Sequence, residues 1–260
     1  MVGAPRTAAA VALARRLPSL KVGLHLTLTD AEPVLPATAV PDLVDARGRF
    51  RSDMARAGAA MFFLPRAKRQ MRAEVRAQFE AYRATGLPLD HVTGHKHFHL
   101  HPSISSVILE LAKEFGNPPV RTPLEPRGVL ARIETQEPSH ISVFRAVARL
   151  QRERLRRAGV PAPDHVFGLA WSGAMTQSRL SGLIAHLPEG VSEIYAHPAT
   201  SGRFPGAAPD YRYEEELAAL LSPDLRRQLN EAGIASGGFA DAATLRRGAA
   251  ASSKRPRGVA

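Results

Sequence analysis

Apolar residues recur at two different spacings along this chain, and the alternation between those spacings predicts its elements. Residues 7–17, TAAAVALARRL, are Ala-rich and helical in character, and Pro18 marks their end. Residues 20–29, LKVGLHLTLT, form a run of Leu and β-branched positions that predicts a buried strand, with His25 among apolar neighbours. Pro33, Pro36 and Pro41 break up a loop, and residues 45–48 predict a turn. In residues 68–85, Met71, Val75, Phe79 and Tyr82 stand at helical spacing as a core-packing stripe, with Gly86 as the stop.

The same alternation continues. Residues 89–95 predict a strand, 103–115 a helix capped by Ser103 and ended by Gly116, and 120–122 a short strand with Arg121 near its end. A helix over 142–158, a strand over 166–169, a helix over 177–186 and a strand over 190–200 follow, the last ending in His197 and Pro198. Helices over 213–221 and 223–232 complete the pattern. From about residue 241 the chain is Ala, Ser, Arg and Gly without an apolar period, so the expected organisation is one domain over 1–240 and a disordered basic tail over 241–260. Strand then helix, repeated, predicts an α/β fold with parallel strands, whose chemistry sits at the C-terminal ends of the strands. His25, His95, Arg121 and His197 all fall at or just inside such ends, and are expected to converge.

Composition narrows the chemistry. The chain has 260 residues, 44% of them hydrophobic and 23% charged, ordinary values for a globular protein. Without cysteine there is no thiolate nucleophile, disulfide or Cys-held zinc, so a metal would sit among His, Asp and Glu. No apolar run approaches the roughly 20 residues that span a bilayer, and the first residues lack the basic-then-apolar order of a secretion signal. The cytoplasm is the expected location. The net charge of +11 raises the question of nucleic acid, but the cations are spread over two helices and the tail, a solvated basic surface. Nucleic acid is therefore not expected as a partner. Attraction to anionic lipid headgroups, and so peripheral contact at the inner membrane, is the functional alternative.

The most concentrated chemistry is HVTGHKHFHLHP, residues 91–102, with five of the chain's ten histidines. In an extended strand alternate side chains share a face roughly 6.6 Å apart, which would turn His91, Thr93, His95 and His97 one way. A lone His25 also fits a satisfied core residue, and an isolated His-x-His pair fits a solvated loop. Five imidazoles in twelve residues point to something bound or protonated.

VGLHLTLT around His25, HVTGHKHFHLHP around His95 and EIYAHPAT around His197 resemble, in order and spacing, the YdjC-like carbohydrate deacetylases related to chitooligosaccharide deacetylase. The branch associated with hopanoid biosynthesis is the nearest likeness, through VGLHLTLTDAEPVLP, PDLVDARGRFRSDMARAG, YRATGLPLDHVTGHKHFHLHP and VRTPLEP. The resemblance covers roughly residues 1–238. It implies an irregular seven-stranded (β/α) barrel of the glycoside hydrolase/deacetylase type and metal-dependent removal of acetyl from an N-acetylated amino sugar. In the hopanoid branch that substrate is an N-acetylglucosaminyl lipid. It further implies a divalent ion, magnesium or zinc, held by an Asp and two histidines that match His25 and His95.

His197 is then the candidate general acid, or alternatively a residue that orients a neighbour. His97 and His99 are expected beside the ligands or against substrate. Arg121 is a candidate for a sugar hydroxyl or the acetyl carbonyl, and Trp171 for a sugar or lipid face unless it is ordinary packing. A homodimer is left open.

One feature of the family is missing. Its first strand ends in paired Asp, which supplies the third ligand and the catalytic base, and no Asp-Asp occurs here. The expectation is an N-terminally truncated chain, short by a βαβ piece of roughly 30 or more residues, with little or no activity as given. A non-catalytic paralogue that binds a glycolipid or a partner is the alternative. An amidohydrolase-type metal enzyme fits less well, because His-x-His there usually follows the first strand.

Overall fold

The computed structural model describes residues 1–134 and 141–242, with the backbone alone for 141–144. The expected tail thus lies outside the described residues from 243 onward. Contacts divide the chain into two units, one of Met1–Arg121, Gln151–Ala162 and Gly237–Ala260, the other of Thr122–Leu150 and Pro163–Ser236. Among the described residues no helix is long and apolar enough to cross a membrane.

The first unit contains α1 (Thr7–Arg16), β1 (Leu24–Leu26), α2 (Met54–Phe63), α3 (Pro65–Ala84), β2 (Val92–Gly94) and α4 (Pro102–Glu114). β1 and β2 pair in parallel, with His25 opposite Thr93, and Val120 adds a parallel bridge to Val92. Leu24 and Leu26 are buried on either side of the half-buried His25, the alternation that a strand imposes. They join the stripe Met71, Val75, Phe79 and Tyr82 of α3 and Ile104, Ile108 and Leu111 of α4 in one apolar core. The turn expected at 45–48 is present. Gly48 has φ +75°, and the Asp45 side chain accepts from the N–H groups of Arg47 and Arg49.

β1 is shorter than the ten-residue run suggests, for a physical reason that lies on α3. Gln70, Glu74 and Gln78, one turn apart, are buried on its core side. Gln78 Oε1 accepts from the Thr27 N–H (3.0 Å) and its Nε2 donates to the Thr27 carbonyl (2.7 Å), occupying the groups that a neighbouring strand would use. Glu74 accepts from the N–H groups of Val34 and Leu35 (2.8 and 3.0 Å), and Gln70 bonds the backbone and carboxylate of Asp42. A polar ladder on one helix thereby fixes the loop that follows β1.

The second unit holds α5 (Arg127–Ile133), β3 (His165–Phe167), α7 (Gln177–His186), β4 (Ser192–Ile194), α8 (Tyr213–Leu220) and α9 (Pro223–Glu231). α6 (Ile141–Arg157) precedes β3 and contributes residues to both units. β3 and β4 are parallel, Val166 opposite Glu193. Phe167, Met175, Leu180, Leu183 and Leu130 form the core of this unit. β3 also stops early. The buried Glu125 carboxylate accepts from the N–H groups of Gly168, Leu169 and Ala170 at 2.7–2.9 Å, directly after the last paired residue.

The expected parallel α/β pattern is thus present, but as four three-residue strands in two two-stranded sheets among the described residues. Helices α2 and α5 stand where no helix was expected. α2 is signalled by Asp53, whose side chain accepts from the Arg56 N–H as an N-cap. Ser103 is not the cap of α4. It lies inside the helix, with His101 at the cap and Pro102 opening the first turn.

Candidate functional site

The histidine motif is not one extended strand. β2 ends at Gly94, and residues 95–100 form a tight 3-10 turn in which Lys96 and His97 take φ of +49° and +57°. This turns the imidazoles in different directions, so the expected common face of His91, Thr93, His95 and His97 does not form. His91 instead stacks on Phe239, with centroids 4.5 Å apart, and its Nδ1 meets Asp90 at 2.8 Å. Asp90 also accepts from the N–H groups of Phe239 and Ala240, which ties the segment after Gly237 to the start of β2.

What the turn brings together is His25 and His95, with ring centroids 5.8 Å apart and edge to face. His25 Nδ1 lies 2.8 Å from the Thr93 hydroxyl across the β1–β2 register. When Nδ1–H donates to that hydroxyl, Nε2 keeps its lone pair on the side away from the strand. Burial, then the positive charges of the amino terminus, His95, Arg121 and His99, push the His25 imidazole down to about 2, so the ring is neutral at ordinary pH. Arg121 follows the Val120 bridge, and its N–H donates to the Val92 carbonyl.

His99 is only 1% exposed, with Nε2 3.0 Å from the Arg121 carbonyl. Burial pushes its pKa down to about 4, against the raising effect of that backbone bond, so it is a neutral residue that fixes the turn. Gly94 is needed here, because a Cβ at that position would lie 2.7 Å from His99 Cβ. His97 is half-buried, its ring 6.0 Å from that of His99.

Sequence reasoning gave Asp30 and Lys96 no role. Asp30 ends the LTLT run at φ +59°, and its Oδ2 stands 2.7 Å from Lys96 Nζ and 3.9 Å from His95 Nε2. Burial raises the Asp30 pKa, but bonds from Lys96 and Thr29 and the charges of Lys96 and His95 outweigh it, and the net shift is downward. The two imidazoles fit two positions around a divalent ion. No group of three His, Asp or Glu arranged to hold one occurs among the described residues, and Asp30, 3.9 Å from His95, is engaged by Lys96.

The second unit carries the other two predicted residues. His197 lies three residues beyond β4, exposed, with the rings of Tyr195 and Tyr211 at 5.7 and 5.1 Å. Its backbone N–H donates to the Glu216 carboxylate, which also accepts from the Met175 N–H at 2.8 Å. Glu216 is fully buried on α8 and holds the backbone at both His197 and Met175, a link that the sequence hid within an acidic first turn. Trp171 is packed rather than open. Its indole N–H donates to Glu134 at 3.0 Å, and the Arg179 guanidinium lies over its ring at 5.2 Å while bonding the same carboxylate.

A family model described as YdjC-like protein matches residues 1–231. A carbohydrate deacetylase of Homo sapiens is 31% identical over 258 residues, taking in 90% of this chain and 78% of that protein. One of Geobacillus stearothermophilus is 27% identical over 237 residues, 90% of this chain and 81% of that protein. A carbohydrate deacetylase of Brevibacillus brevis is 38% identical over 136 residues, 50% of this chain, and that match spans only 51% of the relative's length. Among solved structures, an Enterococcus faecalis V583 protein described as a cellobiose-phosphate cleavage protein superposes with a TM-score of 0.67 at 22% identity. That superposition covers 93% of this chain and 85% of the other, a likeness of fold.

Proposed function

The chain belongs to the YdjC-like protein family, and from that premise we propose that it is a carbohydrate deacetylase that hydrolyses the acetamide of an N-acetylated amino sugar. The observation that carries this reading is the His25–His95 pair, two imidazoles edge to face with centroids 5.8 Å apart, one on β1 and the other directly after the adjacent parallel β2. The relatives' names supply the reaction class. In the same reading the parallel strands belong to an irregular seven-stranded barrel. The substrate is an N-acetylglucosaminyl hopanoid lipid, met by a cytoplasmic protein in peripheral contact with the inner membrane. The likeness of the motifs around His25 and His95 to the hopanoid branch supports that substrate.

His25 and His95 would hold a divalent ion, magnesium or zinc, which when bound supplies Lewis acidity toward the acetyl carbonyl. Thr93 orients the His25 ring, and His99 holds the turn that presents His95. Arg121 and His97 bind sugar hydroxyls or the acetyl oxygen. Water would add to the acetyl carbon, and His197, its backbone held by Glu216, would give a proton to the departing amine nitrogen as the C–N bond breaks. Acetate and the free amine would be left, with the proton lost by the water restoring the imidazolium. One observation favours a second reading, a glycolipid-binding protein of the same fold without turnover: no group of three His, Asp or Glu arranged to hold an ion occurs among the described residues, and Asp30, 3.9 Å from His95, is bonded to Lys96.

The test reads bound ion first, because it needs no turnover. His25→Ala and His95→Ala should each lower bound zinc or magnesium, and acetate release should fall with it. One ion per chain retained by the double variant would overturn the assignment. Acetate release from an N-acetylglucosaminyl lipid, compared with a chitooligosaccharide, separates lipid-linked from free-sugar substrates. Stoichiometric ion with no release from either favours the binding protein.

A further inference from the structure

We propose that the ridge at the α2–α3 junction, Phe62, Phe63 and Leu64, inserts into the surface of an anionic lipid bilayer. Residues 62–66, FFLPR, are five consecutive exposed positions, four of them apolar. Phe62 is 50% exposed, Phe63 75% and Leu64 55%, while the preceding Met61 is fully buried and anchors the ridge to the core. Single exposed apolar residues are ordinary, whereas two adjoining phenylalanines and a leucine at the corner between two helices make a continuous apolar edge. The corner is stiff. Phe62 and Phe63 pack edge to face with centroids 4.9 Å apart, the Leu64 N–H donates to Ala60, and Pro65 opens α3 with its fixed φ.

The charge around this edge identifies the occupant. From Met54 to Ala73 the chain carries five cations, Arg56, Arg66, Lys68, Arg69 and Arg72, and no acid. Arg66 is paired with Asp42 and Arg72 with Glu110. Arg56, Lys68 and Arg69 are exposed and make no ion pair among the described residues. Lys68 stands one turn above Leu64, its N–H bonded to the Leu64 carbonyl, so an unpaired ammonium flanks the apolar tip. An apolar edge bordered by unpaired cations matches the boundary between acyl chains and anionic headgroups. An apolar protein surface alone would leave those charges without a partner.

The ridge also adjoins the histidine turn. The His101 ring meets Phe62 at 6.2 Å and Phe98 at 5.8 Å, and α2 approaches closely enough at Gly58 that a Cβ there would touch His101. Membrane docking through this edge would set the turn that bears His95 near the headgroup level. This deepens the lipid-surface part of the reading above, but binding is measured without turnover, so the two fail separately.

The test is co-sedimentation of the full chain with vesicles of phosphatidylcholine alone, or with about 30% phosphatidylserine, at about 0.1 M and about 0.5 M salt. The expected result is binding to the anionic vesicles that weakens with salt. F62S/F63S should lower the bound fraction's affinity by about tenfold or more with thermal unfolding unchanged. K68E/R69E, which leaves the ridge intact, should remove the preference for anionic lipid by a similar factor. Equal binding by the parent and both variants would overturn the proposal, as would absence of binding by the parent. A parent dimer in light scattering that F62S/F63S converts to monomer, with vesicle binding unaltered, would assign the ridge to a second copy instead.

Discussion

Replacing Gln78 by leucine keeps the side-chain volume nearly constant and removes the one residue that satisfies both backbone groups of Thr27. Thr27 is buried, two residues beyond His25, so its N–H and carbonyl cannot turn to water without moving the chain. Each buried group left without a partner costs about 1–3 kcal/mol. Glu74 loses its bond from Gln78 Nε2 (2.9 Å) but keeps those from Val34 and Leu35. The added apolar surface returns about 1 kcal/mol. The net expectation is a loss of about 1–5 kcal/mol, and the middle of that range lowers the urea midpoint by about 1 M or more.

Far-UV circular dichroism is the suitable probe, because the single tryptophan, Trp171, belongs to the other unit. Hydrogen exchange resolved to the peptide containing Thr27 gives the local reading, and its protection should fall by more than the global loss. A midpoint within about 0.3 M of the parent with Thr27 protection unchanged would refute the claim that Gln78 terminates β1.

Gly94→Ala places a Cβ against His99 and should cost about 1–3 kcal/mol in thermal or urea unfolding, with Gly94→Val worse, whereas Gly116→Ala, which meets nothing within 4 Å but sits at φ +83°, should cost about 1 kcal/mol. Acid should destabilise the fold through His99: its folded pKa of about 4 lies below the ordinary 6.5, so the unfolded chain binds the extra proton between those values. Stability is then full above pH 6.5 and falls by about 3 kcal/mol as pH approaches 4, and His99→Asn should flatten that slope in urea titrations at several pH values. Glu216→Gln leaves an amide facing the His197 N–H or the Met175 N–H, and should cost about 1–3 kcal/mol. In a chain that releases acetate it should also slow that release with the pH profile altered, while Glu214→Gln on the exposed side of α8 changes neither.

The elements that a local pattern can encode were legible in the chain. The stripe of Met71, Val75, Phe79 and Tyr82 forms the core face of α3, the helices over 177–186 and 223–231 stand where the periodicity put them, and the parallel pairing follows from strand–helix alternation. These depend on residues within a few turns of one another, so composition and spacing suffice. Where the strands stop was decided by partners 43–51 positions away: Gln78 takes the backbone of Thr27, and Glu125 takes that of Gly168 and Leu169. No window of sequence holds both halves of such a bond.

The histidine motif divides in the same way. Its concentration of imidazoles was plain from residues 91–102, but alternation along a strand was the wrong geometry for it, because the strand ends at Gly94, the backbone turns with positive φ at Lys96 and His97, and His99 closes on the Arg121 carbonyl. The sequence alone therefore determined which side chains were available for chemistry. Only the tertiary structure decided that His25 meets His95, that His91 and His99 are spent on packing and turn closure, and that Trp171 is enclosed, because those outcomes rest on contacts between segments that the chain brings together only when folded.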